Sequence, residues 1–122
     1  MIASALMCLA LNVYYEARSE SVVGQYAVAL VTLNRAHGDK KKICSEVHKP
    51  SQFSWTNEKQ LPPTEFAAWK QAKKVASDVL SGGVCDFTGG AVFYHTTSVY
   101  PDWRRRVKFV MVLGRHRFYR AV

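Results

Sequence analysis

Glu16 is the side chain in this sequence best placed to do chemistry. Ile2, Leu6, Leu9, Val13 and Glu16 recur at steps of four, three, four and three, which aligns them on one face of a helix. The stripe is apolar until its last member, a carboxylate. Drawing an ionised carboxylate into apolar surroundings is costly, so such a group holds its proton to higher pH. A carboxylic acid still protonated near neutrality suits a general acid, as when the oxygen of a glycosidic bond takes a proton while the bond breaks. Periodicity alone leaves a second reading open, in which Glu16 reaches solvent or pairs with Arg18 or Arg35.

Sugar rings offer apolar C–H faces to flat side chains and hydroxyls to polar ones. Tyr94 and His95, at the end of an expected strand, are the foremost candidates to line a cleft, followed by Gln52 and Phe53 and then Tyr15. Phe53 and Trp55 also read as packing residues, and Trp103 and Tyr119 as structural ones. Glu20 has two readings: a carboxylate favoured by the dipole at the start of the second helix, or a group supporting the site through a hydrogen bond. Asp86 and Asp102 fall in expected loops, where turn roles are common. One well-placed glutamate and no evident second one remain.

Competing chemistries find less support. His37, His48, His95 and His116, with Cys85 and Asp86, show no HExxH or other close ligand spacing, so no metal site and no other cofactor is expected. Cys8, Cys44 and Cys85 form no CxxC. Cys8 reads as a small buried hydrophobe, and free thiols are favoured over a Cys44–Cys85 bridge.

The elements that must hold these groups follow from period and punctuation. Helices are expected over Ile2–Ala17, Val22–Ala36 and Glu65–Leu80, with a short one over Ile43–Val47. Ser19 or Ser21 can cap the second helix and Thr64 the one from Glu65. The second contains YAVALVTL (Tyr26–Leu33), apolar on nearly all sides, and so belongs at the centre of the structure. In the Glu65–Leu80 helix, Phe66, Trp69, Lys73, Ala76 and Leu80 share one side. Lys40–Lys42 form a basic surface loop. After Gly82 and Gly83 the period changes to short β-branched or aromatic runs, Ala91–His95, Val107–Leu113 and Arg117–Tyr119. The expected class is α+β: three main helices, then a small antiparallel sheet, in one domain over residues 1–122.

A hydrophobic fraction of 48% and a charged fraction of 21% are ordinary for a globular protein. No apolar run approaches the roughly 20 residues of a membrane helix. The opening MIASALMCLALNVYYEAR lacks a basic start and keeps helical phase, so it reads as a folded helix and not as an export signal. The net charge of +8 favours polyanionic partners, whether nucleic acid, anionic membranes or an anionic bacterial envelope. A nucleic-acid-binding module using Lys40–Lys42 and Arg104–Arg106 is the rival reading, but no recognised motif frames those clusters, and no specific nucleic acid is expected.

Four blocks in order carry a family resemblance over nearly the whole chain: YYEARSE with GQYAVALVTLNR, then QFSW, TGGAVFYH and GRHRFYR. Together they resemble the SleB/CwlJ-type cell wall hydrolases. Ser19 stands where the family pattern has glycine, RRRVKFVMV is unusually basic, and Cys85 is idiosyncratic. The resemblance implies a lysozyme-like fold and peptidoglycan glycan strands as substrate. It also implies that the family glutamate is Glu16. In the transglycosylase mechanism one glutamic acid protonates the glycosidic oxygen, then takes the C6 hydroxyl proton as a 1,6-anhydro ring closes. The alternative, an N-acetylmuramidase, needs a partner carboxylate about 5–5.5 Å away for retention or 6.5–9.5 Å for inversion. With no evident partner, the transglycosylase is favoured. A monomer acting at the bacterial cell wall is expected, either as a phage lysin held in the host cytoplasm before release or as a catalytic domain of a longer envelope protein.

Overall fold

A computed structural model describes residues 4–49 and 62–122. Helix α1 covers Ala5–Ala17 and starts later than periodicity suggested, because the Ser4 hydroxyl accepts the Met7 N–H and caps it. Leu9 and Val13 are buried, but Leu6 is 40% exposed, so among the described residues the apolar stripe is covered from Leu9 onward. Helix α2, Val22–Arg35, begins at Ser21, whose hydroxyl takes the Gly24 N–H. The second of the two expected caps is therefore the one used.

Being apolar all round places α2 between two packing layers. Ala29 and Leu30 join Leu9, Val13, Val75 and Val79 in the helical core. Ala27 and Val31, on another side, meet Ala91 and Phe118 from the sheet region. Burying each of the valine, leucine and phenylalanine side chains among these stabilises the fold by about 1.5–3 kcal/mol. Between α1 and α2, the Thr32 hydroxyl donates to Asn12 Oδ1 at 2.7 Å, which fixes how the two helices sit.

After a 3₁₀ turn over Lys40–Lys42, capped by Asp39, comes the short α3, Ile43–Val47. Its packing against α1 corrects the cysteine reading. Cys8 and Cys44 are joined by a disulfide, with Cα atoms 5.3 Å apart, while Cys85 is exposed and free. Cys8 is a buried side chain on the α3-facing side of α1, and that adjacency, invisible in the spacing, decides the pairing.

Helix α4, Phe66–Leu80, differs from expectation twice. Thr64 does not cap it; Glu65 holds the cap position and makes no side-chain cap bond. The Tyr14 hydroxyl accepts the Thr64 and Glu65 N–H groups instead, each at 3.2 Å. The buried face is Ala72, Val75, Ala76 and Val79, whereas Phe66 is 79% exposed. Small and β-branched residues let α4 lie close on α1, and that contact sets its rotation over the aromatic stripe.

The last third is a three-stranded antiparallel sheet of β1, Phe93–Thr96, β2, Lys108–Leu113, and β3, His116–Arg120, in the order β1-β3-β2. A 3₁₀ turn, Asp102–Arg106, precedes β2. Tyr94 pairs with Phe118 and Met111 with Phe118 across the sheet, and this face packs on α2. Phe93, His95 and Tyr119 lie on the opposite face against Trp103, and Phe109 meets Tyr119 there. The architecture is α+β, with the helices first and the sheet last.

Candidate active site

Glu16 lies in the last turn of α1, partly buried, where the first strand passes. Burial raises its pKa from 4.5 to about 7, against the opposing influence of a hydrogen bond from Tyr94 and the positive charge of Arg35. Desolvation wins because what the carboxylate gains from the Tyr94 phenol and the Arg35 charge does not replace the water it has given up. Tyr94 is partly buried, with its ring against Ala27, Val31 and Phe118 and its hydroxyl on Glu16. Its own pKa is pushed well above 10 by burial and by the nearby carboxylate, so it stays a donor.

Arg35 closes this group from the last turn of α2. Its Nε donates to the Val92 carbonyl, and its guanidinium stands 5.9 Å from the Phe93 and Tyr94 ring centres. Burial lowers its pKa, opposed by Tyr94, Glu46 and Glu16. Of the two cations considered as partners for Glu16, Arg35 is therefore the one nearby. Arg18 turns away to Glu65, at 2.5 Å, with its guanidinium 4.8 Å from the Tyr14 ring centre.

The remaining candidates separate. His95 follows Tyr94 in the strand and so points to the other face of the sheet. There its Nδ1 lies 2.7 Å from the Thr96 carbonyl, which can only accept, and its Nε2 lies 2.7 Å from the Tyr119 hydroxyl. Its ring stacks on Tyr119 and meets Trp103 edge-on. Tyr15 packs edge-on against Tyr14 and beside the helical core. Gln52 and Phe53, with Trp55, lie outside the described residues. Glu20 packs near the site and contacts His116 and Arg115.

Every other described acid except Asp102, which opens a 3₁₀ turn, has a local partner. Glu46 pairs with Lys49, Glu65 with Arg18, and Asp78 with Lys74. Asp39 caps a 3₁₀ turn, and Asp86 accepts from Asn34 and from the Thr88 and Gly90 N–H groups, the turn role expected of it. Among the described residues, the groups acting on Glu16 are Tyr94 and Arg35, and neither is a carboxylate. Among the described residues no three His, Cys, Asp or Glu side chains cluster to hold a metal, and no helix is long and apolar enough to cross a membrane.

Arg35 and Tyr14 are the residues that sequence reasoning undervalued. Arg35 had a signal, since it ends the buried helix within a family block. Tyr14 had none, because an aromatic in a helix reads as core and its hydroxyl partners lie far along the chain.

The profile of the cell wall hydrolase family matches residues 19–119. This chain belongs to the cell wall hydrolase family. Two solved structures share its fold over nearly its full length. The catalytic domain of a germination-specific lytic transglycosylase, SleB from Bacillus anthracis, superposes with a TM-score of 0.77 at 27% identity, covering 98% of this chain and 97% of that one. The catalytic domain of Bacillus cereus SleB gives 0.75 at 28% identity, covering 95% and 89%. Among curated protein sequences none matches significantly. Glu16 lies just ahead of the segment matched by the family profile.

Proposed function

We propose that this cell wall hydrolase cuts the β-1,4 bond between N-acetylmuramic acid and N-acetylglucosamine as a lytic transglycosylase, with Glu16 as its acid and then its base. The observation that carries this reading is a carboxylate whose pKa stands at about 7, with a phenol and a guanidinium, and among the described residues no second carboxylate, acting on it. Protonated Glu16 gives its proton to the glycosidic oxygen as the bond to muramic acid C1 breaks. The carboxylate so formed is stabilised by the Tyr94 hydroxyl and the Arg35 charge, and it accepts the C6 hydroxyl proton while that oxygen closes on C1. Glu16 ends protonated, ready for the next bond, and no water is consumed. The likeness to the Bacillus anthracis domain, described as that of a lytic transglycosylase, supports the same reaction.

Two measurements test this. Purified peptidoglycan digested with the protein should yield muropeptides ending in anhydro-muramic acid, lighter by one water than hydrolysis products when weighed by mass spectrometry. Reducing muramic ends would identify a muramidase and refute the ring-closing step. Second, because the acid must be protonated at the outset, kcat/KM should fall as pH rises through about 7, approaching tenfold per pH unit beyond it. A rate that stays level to about pH 9 would remove Glu16 as the acid.

A further inference from the structure

We propose that Glu20 and the Gly114–His116 turn form a clamp that presses Tyr94 against Glu16, and that His116 is a positioning residue for the catalytic acid. This rests on the reading of Glu16 given above and assigns work to two sequence blocks which that reading leaves idle.

The clamp starts where α1 ends. The Glu20 N–H donates to the Ala17 carbonyl at 2.9 Å, and the Glu20 carbonyl accepts from Gln25 Nε2 at 3.2 Å, so the residue is fixed to both helices. Its side chain, only 10% exposed, points at the β2–β3 turn, with Oε1 3.2 Å from His116 Nδ1 and 3.5 Å from Arg115 Nε. Burial lowers the pKa of His116, with Arg115 and His95 acting the same way and Glu20 opposing. A neutral ring facing a carboxylate through Nδ1 donates its one proton there. Arg115 also reaches the Ser19 hydroxyl, at 3.1 Å, so the serine that replaces the family's glycine adds a second tie to the same turn.

Gly114 makes room for this contact. Its φ is +55°, and a Cβ there would stand 2.9 Å from Glu20 Oε2. Any larger residue would push the carboxylate off the turn as well as strain the backbone.

From the turn the contact passes to the acid. His116 is 5% exposed, and its ring meets Tyr94 edge-on, with centres 5.2 Å apart at 87°. It is the diagonal neighbour of Tyr94 across the β1–β3 pair, on the face that packs against α2. Phe118 at 5.7 Å and Arg35 at 5.9 Å bound the same tyrosine ring. The phenol, held on these sides, is aimed at Glu16, so the end of α1 grips the hairpin through Glu20 and is gripped in return through Tyr94.

The test is the pH at which kcat/KM begins to fall on the alkaline side. The Tyr94 hydrogen bond lowers the pKa of Glu16, so Tyr94→Phe should move that limb upward by about 0.5–1 pH unit. His116→Ala should move it in the same direction, and the Tyr94→Phe/His116→Ala double variant no further than Tyr94→Phe alone. Glu20→Gln, which keeps its shape, should reproduce part of the movement in a protein of unchanged fold. A residue that merely stabilises the hairpin would lower the melting temperature and leave the limb in place. The clamp is overturned if the limb stays put in both His116→Ala and Glu20→Gln, or if the His116 and Tyr94 effects add in full. A fully active Glu16→Gln variant would overturn the underlying reading of Glu16.

Discussion

At about pH 8, Glu16→Gln should be inactive on peptidoglycan and yet more stable than the parent protein. The activity loss should reach roughly 10²–10⁴-fold, the usual contribution of a positioned acid, since an amide cannot give the proton away. The stability gain follows from the same burial that makes Glu16 useful. Its pKa is about 7 in the folded protein and 4.5 as the reference for an unfolded chain. Between those values the folded state holds a proton that the unfolded state has released, so stability falls as pH rises through this window. Above it, the ionised carboxylate costs the fold about 3 kcal/mol, an order-of-magnitude figure from the size of the displacement. A neutral glutamine avoids that cost, though its amide hydrogens lack the partners a carboxylic acid would not need, leaving a net gain of about 1–3 kcal/mol. At about pH 4, where both states are protonated, the advantage should vanish. Urea unfolding of the two proteins at both pH values measures this. A variant that melts at or below the parent at the higher pH would show that Glu16 is not held in an environment hostile to its charge.

What could be read from the sequence was what depends on one segment at a time. Helices α2 and α3 and the three strands lie close to their expected positions because apolar period, serine caps and glycine breaks are local signals. The position of Glu16 at the end of an apolar stripe was legible for the same reason. The less legible features depend on how segments meet. Tyr94 and His95 looked equivalent as neighbours in an aromatic run, yet a strand sends them to opposite faces, and only the seating of the sheet on α2 decides which one meets Glu16. The rotation of α4 is set by the small residues it presents to α1, not by its larger aromatics. Glu20 stands beside the start of α2 and faces His116. No local pattern announces that partner, which lies nearly a hundred residues further on.

The Cys8–Cys44 bridge was the least legible feature, and breaking it should have the largest effect on stability. Crosslinking residues 36 apart removes loop-closure freedom from the unfolded chain worth about 4 kcal/mol on a chain-entropy estimate. For a chain of this length the loss corresponds to a fall in melting temperature of roughly 10–20 °C. Reduction of the parent protein is the cleanest comparison because it removes the crosslink and keeps both sulfur atoms. A Cys85→Ser background prevents the exposed third thiol from exchanging into the pair. The bridge ties the first half of α1 to α3 and encloses α2 in its loop, whereas Glu16 lies about 12 Å further along the same helix. Reduction should therefore lower the melting temperature while leaving the pH at which activity falls where it was. Such bonds persist in oxidising surroundings and are lost in reducing ones, so the domain would gain its full stability only where its envelope substrate lies. If the reduced and oxidised proteins unfold at the same midpoint, the bridge contributes nothing to the fold and this coupling of stability to compartment is lost.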